Sequence, residues 1–229
     1  MAIAQDSNTQ IASSGSSGIT SFTISHTCSG ANRLLVANVF DRSGDAITSV
    51  TYNGTAMTLI AKKARNDVAA QGLTYLYYLL NPDTGTHNLT ASRAGSVDNY
   101  IILGGTSYTG VKQSAQPDAS VANQADSVNT KTTTVTTAAD NCFMYLAAMW
   151  DAGGGAATAG SGSTLLGSSL SNWASFESSS LALTPAGSKS MIYDVGGASG
   201  ILVAVMASFA PAASASGPAN PITQILNIF

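Results

Sequence analysis

Ile47-Thr48-Ser49-Val50-Thr51-Tyr52-Asn53-Gly54-Thr55-Ala56-Met57-Thr58-Leu59-Ile60 reads as a β-hairpin. Asn-Gly is the dipeptide that best accepts positive φ at both central positions of a type I′ turn. A two-residue turn there predicts Tyr52 opposite Thr55, Val50 opposite Met57 and Thr48 opposite Leu59, all on one face. The other face carries Ser49, Thr51, Ala56 and Thr58, which are small and mostly polar. A slip of one residue would move Val50, Tyr52, Met57 and Leu59 into water, so the register is well specified. The apolar face requires a second layer over it. The hairpin therefore predicts a layered β-protein.

The composition agrees. Of 229 residues, 45% are hydrophobic and 9% charged, with a net charge of −3. Ordinary domains carry roughly a quarter charged residues; here Ser, Thr, Asn and Gly take their place. Such a surface packs against neighbours or sugars without the desolvation penalty of charge. It lacks the basic footprint that nucleic acid requires. Apolar runs such as 201–207 are too short to span a bilayer. Residues 1–6 have no basic start and no apolar core, unlike a secretory signal. These features predict a protein that is soluble as made, with neither nucleic acid nor membrane as its partner. Cys28 and Cys142 each sit in or beside an apolar strand and read as buried free thiols, a disulfide being the alternative.

Outward from the hairpin, strands are expected from Ile19, over Leu34–Phe40, Leu73–Leu80, His87–Ser92 and Tyr100–Tyr108, with a bulge or bend at Gly104-Gly105. More follow over Thr130–Thr137, Asn141–Trp150, Leu165–Leu170, Trp173–Leu183, Lys189–Val195 and Ile201–Phe209. Turn chemistry separates them, as in Asn81-Pro82-Asp83-Thr84-Gly85. Lys62–Gly72 and Gln113–Asn129 read as loops. About a dozen short strands at this spacing predict an all-β fold, an antiparallel two-sheet β-sandwich of jelly-roll type. The length admits one large sandwich or two small domains, and no mid-chain linker is evident. The expected organisation is a flexible arm over 1–18, a sandwich domain over 19–210 and a C-terminal arm over 211–229.

That last arm has a Pro/Ala/Ser spacer, then Asn220-Pro221, which suits a helix start. Ile222, Ile225, Leu226 and Phe229 fall on one helical face, with Ile228 beside them. So short a helix is not stable alone in water. These five residues are the candidate partner-binding anchor.

Catalytic patterns are sparse. Glu177 is the single glutamate, and neither a nucleophile elbow nor a phosphate loop is present. His26 and His87 lack zinc spacing and read as strand histidines. Asp41, Asp45 and Asp67 are the weak calcium candidates, against ordinary turn aspartates. Tyr75, Tyr77 and Trp173, with Tyr78 and Trp150, are candidates for a sugar-stacking platform, against ordinary core packing. No enzyme, cofactor or metal centre is expected.

Val50-Thr51-Tyr52-Asn53-Gly54, Tyr77-Tyr78-Leu79-Leu80-Asn81-Pro82 with Gly85, and Ser107-Tyr108-Thr109-Gly110-Val111 together resemble a family of poorly characterised β-sandwich proteins. That family occurs in bacterial surface proteins and phages, and the resemblance spans about residues 19–210. It implies a jelly-roll-like module on the outside of a particle or cell and supplies no catalytic residues. The resulting expectation is a virion structural protein, such as a capsid decoration or cement protein on the virion exterior. Its arms would contact other virion proteins and copies of itself. The alternative is a carbohydrate-binding or adhesion module that meets a surface glycan.

Overall fold

The computed structural model describes residues 2–15, 18–41, 44, 47–97, 101–151, 156–169, 173–178, 183–197 and 199–213. In it Asn53 and Gly54 have φ of 48° and 79°, and Tyr52 pairs with Thr55 and Thr51 with Ala56, as a type I′ hairpin requires. Met57 N donates to Val50 O at 2.8 Å. Val50, Tyr52 and Met57 are buried, but Leu59 is 41% exposed. The chain leaves the hairpin after Met57 and joins a different sheet, so the face assignment does not extend to Leu59.

The first half contains β1 (Ala4–Ser13), β2 (Ile19–Cys28), β3 (Leu34–Asp41), β4 (Ile47–Tyr52), β5 (Thr55–Ala56), β6 (Thr58–Ala64), β7 (Leu73–Leu80), β8 (Gly85–Val97) and β9 (Ile101–Thr109). The second contains β10 (Ala119–Val128), β11 (Thr130–Thr137), β12 (Phe143–Trp150), β13 (Thr158–Ala159), β14 (Ser163–Ser169), β15 (Trp173–Ser178), β16 (Gly187–Asp194) and β17 (Gly200–Phe209). All the pairings are antiparallel.

In the first half the pairs are nested: β1 with β9, β2 with β8, β3 with β7, β4 with β5. They alternate between two sheets, an inner one ordered β1-β9-β3-β7-β6 and an outer one ordered β2-β8-β4-β5. Nesting of this kind is consistent with jelly-roll winding. The second half repeats it: inner sheet β10-β17-β12-β15-β14, outer sheet β11-β16-β13. Every strand but β5 has a counterpart in the same place. The fold is a tandem duplication of one antiparallel sandwich.

The two inner sheets pack face to face, giving four layers of strands and three buried layers of side chains. In β3, Leu35, Ala37 and Val39 face the first outer sheet; in β12, Met144, Leu146 and Ala148 occupy the matching positions against the second. Leu34 and Val36, with Phe143 and Tyr145, fill the central layer, alongside Tyr108, Val205 and Phe209. Phe40 and Met149 also match, beside Ile102, Trp173 and Val203. Strands covered on both faces read as continuous apolar runs, which is why Leu34–Phe40 and Phe143–Trp150 do. Tyr108 and Phe143 have ring centroids 4.1 Å apart, and Phe143 stacks on Phe209 at 5.4 Å.

The halves are related by an approximate two-fold. β1 lies against β14 at one edge and β10 against β6 at the other. Asn8 Nδ2 donates to Leu166 O at 2.9 Å at the first seam, and Asn66 N donates to Gln124 Oε1 at 2.7 Å at the second. Near the axis Val111 bridges Pro211; Lys112 N donates to Ala210 O and Ala212 N to Gly110 O.

Several expectations change. Residues 4–13, read as flexible arm, form edge strand β1, because main-chain pairing and polar side-chain bonds hold a segment with little apolar content. Residues 119–128, read as loop, form edge strand β10 for the same reason. The expected loop over 62–72 is partly strand β6, followed by two 3-10 turns. Gly104 and Gly105 pair regularly with β3, while on their other side the β1–β9 ladder shifts register between Thr9 and Ala12, opposite Gly105 and Leu103. A Cβ on Gly105 would lie 2.7 Å from Leu89 Cδ2, so glycine there lets the two sheets approach. The body continues past 210, through the Ala212–Gly110 bond. The expected anchor, 222–229, lies outside the described residues.

Candidate interaction surfaces

Strand alternation gives each outer sheet an apolar inner face and a polar outer one. On the first, the outward residues fall in ranks across strands. Ser21, Ser92 and Ser49 form one rank, and Thr23, Thr90 and Thr51 the next. Ser25 with Asn88 and Thr27 with Thr86 continue it. Hydroxyls of Thr23 and Thr90 meet at 2.9 Å, and those of Thr27 and Thr86 at 2.8 Å. The strands set these groups about 4.8 Å apart across the sheet and about 6.7 Å apart along it. Threonine is stiff at χ1, so methyl and hydroxyl are presented in fixed rows. None of these ranks carries a charge.

The second outer face has the same character. Exposed Thr132, Thr134 and Thr136 of β11 stand opposite Ile192, Ser190 and Ser188 of β16, and Thr134 meets Ser190 at 2.7 Å. Thr130 bonds Asp194, the one acidic group in these rows. The two halves share little sequence, yet both turn a hydroxyl face outward, in opposite directions.

The candidate sugar-stacking residues lie elsewhere. Tyr75 and Tyr77 are buried between the sheets of the first half, their rings 6.3 Å apart. Trp173 is fully buried between the two inner sheets, and Trp150 is buried beneath the second outer sheet. None offers a free ring face to a sugar, and the expected platform is corrected to core packing. Tyr78 packs against Phe209. Alternation cannot distinguish core from surface on a strand covered on both sides.

Several described titratable groups bond within the fold. Thr9 Oγ1 and His26 Nδ1 meet at 2.7 Å beneath β1. Burial holds the His26 imidazole down at about 4, against an upward pull from Asp6. Burial opposes ionisation of Asp6, but bonds from Ser29 N, Ser29 Oγ and Ser107 Oγ leave its carboxyl below the usual range. Burial pushes the Cys28 thiol up, and burial with Asp118 beside it pushes Cys142 up to about 12, so neither is an activated nucleophile; both are free. His87 Nε2 bonds Thr84 O at 3.0 Å. Tyr108 donates to Glu177 at 2.7 Å, and burial raises that carboxyl above its ordinary value. Asp41 forms a fully buried ion pair with Arg93 at 3.3 Å, and Asp67 pairs with Lys63. Asp41 and Asp67 are therefore not a shared calcium site, and Asp45 lies outside the described residues. No cluster of three metal-ligating side chains occurs among the described residues.

One cleft lies near the two-fold, about 470 Å³ in volume, lined by Lys112, Asp118, Ala138, Ala139, Ala210 and Pro211. The Asp118 carboxyl is engaged there by Ala138 N and Cys142 Sγ. The outer faces were legible only as composition: alternating Ser and Thr signalled them, but which strands align to make ranks depends on long-range pairing. Comparison with known protein families, with characterised proteins and with solved structures finds no match.

Proposed function

We propose that this protein is a structural component of a particle exterior, in the first instance a capsid decoration or cement protein of a virion. It works by contact with neighbouring subunits and copies of itself. The observation that carries this reading is the division of chemistry in the fold. His26, Cys142 and Glu177 bond inward and both cysteines are buried, while both outer sheets present hydroxyl rows to opposite sides. Surfaces so poor in charge suit close packing with other neutral protein surfaces. A mass-spectrometric inventory of purified particles tests it. The protein should be present in stoichiometric proportion to a shell subunit. Recovery only from the soluble fraction would overturn the reading.

The hydroxyl ranks also favour a second reading, binding of a neutral surface glycan through the first outer face. Thr90→Lys, which sets a charge at the centre of that face, should then abolish retention on the glycan and leave the fold intact. Unchanged retention would exclude this face as the glycan site.

A further inference from the structure

The duplication supplies an internal control for how each half begins. β1 and β10 hold the same edge of their inner sheets. In the second half a single residue, Asn129, separates β10 from β11. So short a crossing ties β10 to its own half. In the first half Ser14-Gly15-Ser16-Ser17-Gly18 separates β1 from β2. Five residues span about 17 Å when extended, so this connection is longer than the one between β10 and β11.

β1 is also held differently from a core strand. Ile3, just before it, is the one fully buried apolar side chain among those described in 2–15. The other described side-chain attachments are polar: Asp6 to Ser29 and Ser107, Asn8 to Thr106 and Leu166, Thr9 to His26. Two register shifts interrupt its ladder with β9. Releasing the described contacts uncovers one large apolar side chain, Ile3, and an identical copy can remake every one of these bonds.

We propose that β1 is an exchangeable strand. The β1 of one copy pairs with β9 of a second copy, its Asp6, Asn8 and Thr9 finding the same partners there. Reciprocal exchange closes a two-fold dimer; one-way exchange links copies in series. The inference goes beyond the particle reading, since it concerns purified protein alone and stands or falls separately from the inventory of particles.

The test uses full-length chains. Ala4 and Thr109 are directly paired across β1 and β9, and Ala119 and Ser208 across β10 and β17. Ala4→Cys protein is mixed with Thr109→Cys protein, equilibrated and oxidised; Ala119→Cys is mixed with Ser208→Cys in parallel. The Ala4→Cys/Thr109→Cys double variant, which should close an internal disulfide, verifies that the pair is in reach. Expected is a mixed covalent dimer from the β1/β9 pair and none from the β10/β17 pair. An internal disulfide in the double variant without a mixed dimer overturns the proposal. Equal mixed dimer from both pairs also overturns it, since that is collision rather than exchange.

Discussion

The Arg93–Asp41 pair is fully buried and couples the outer and inner sheets of the first half. Arg93 Nε also donates to Ile19 O at 2.9 Å. Breaking a buried ion pair by removing one member costs about 3–5 kcal/mol. Arg93→Met should therefore destabilise by about that amount in denaturant unfolding, and Arg93→Met with Asp41→Leu should recover part of it. A loss below about 1 kcal/mol in the single variant would show the pair contributes little. His26 carries a pH signature. It titrates near 6.5 in the unfolded chain but is held at about 4 in the fold, facing Asp6 and Thr9 of β1 and Tyr52 of β4. The fold binds fewer protons in that interval, so its stability is full above about 6.5 and falls as pH drops toward 4. Glu177 opposes this: raised above 4.5 by burial, it takes its proton first in the fold, so acidification there favours the fold. The melting temperature should fall more steeply between pH 6.5 and 4 in wild type than in His26→Gln. Equal slopes would remove His26 as the cause. At this scale Asn53-Gly54 was readable because an I′ turn is local, whereas Leu59 depended on which sheet the chain joins next. The turn itself is testable: Gly54 has open space where a Cβ would stand, so Gly54→Val should cost about 1–3 kcal/mol through positive φ alone. A variant melting with wild type would refute the turn.

Elements separate into two kinds. The strands of the inner sheets, β3, β9, β12 and β17, are apolar on both faces and were legible as runs. The edge strands β1 and β10 were read as arm and loop, because polar strands at a sheet edge have the composition of linkers. What holds them is pairing with distant β9 and β17, which no local pattern reveals. The latch on β1 makes its own prediction. Asp6→Ala removes the acceptor for Ser29 and Ser107, so exchange of the β1 amides should accelerate about 5- to 30-fold, the equivalent of about 1–2 kcal/mol at a partly exposed site. The β10 amides should not change. Acceleration in both strands would point to global loosening instead.

The whole molecule is bound by its central layer. Phe143, Tyr145, Tyr108 and Phe209 bury one half against the other, so the halves should unfold together. Phe143→Ala should lower stability by about 3–5 kcal/mol while keeping one calorimetric transition; two separated transitions would show the halves to be independent. Truncation after Ala213 keeps the bonds at the two-fold, so the shortened protein should retain its melting temperature; under the particle role proposed above, it should also fail to join the particle. A large loss of melting temperature would place the tail on its own body. The duplication itself was not readable in the chain. Leu34-Leu35-Val36 and Phe143-Met144-Tyr145 share positions and faces but not residues, and topology is preserved where side chains are free to change.

Back-to-back stacking has a consequence for reach. Three side-chain layers at about 10 Å each set the two hydroxyl faces about 30 Å apart. A single chain thus presents two outer faces that point to opposite sides at a set separation. On the particle role proposed above, one chain would bridge two surfaces about that far apart, one on each side.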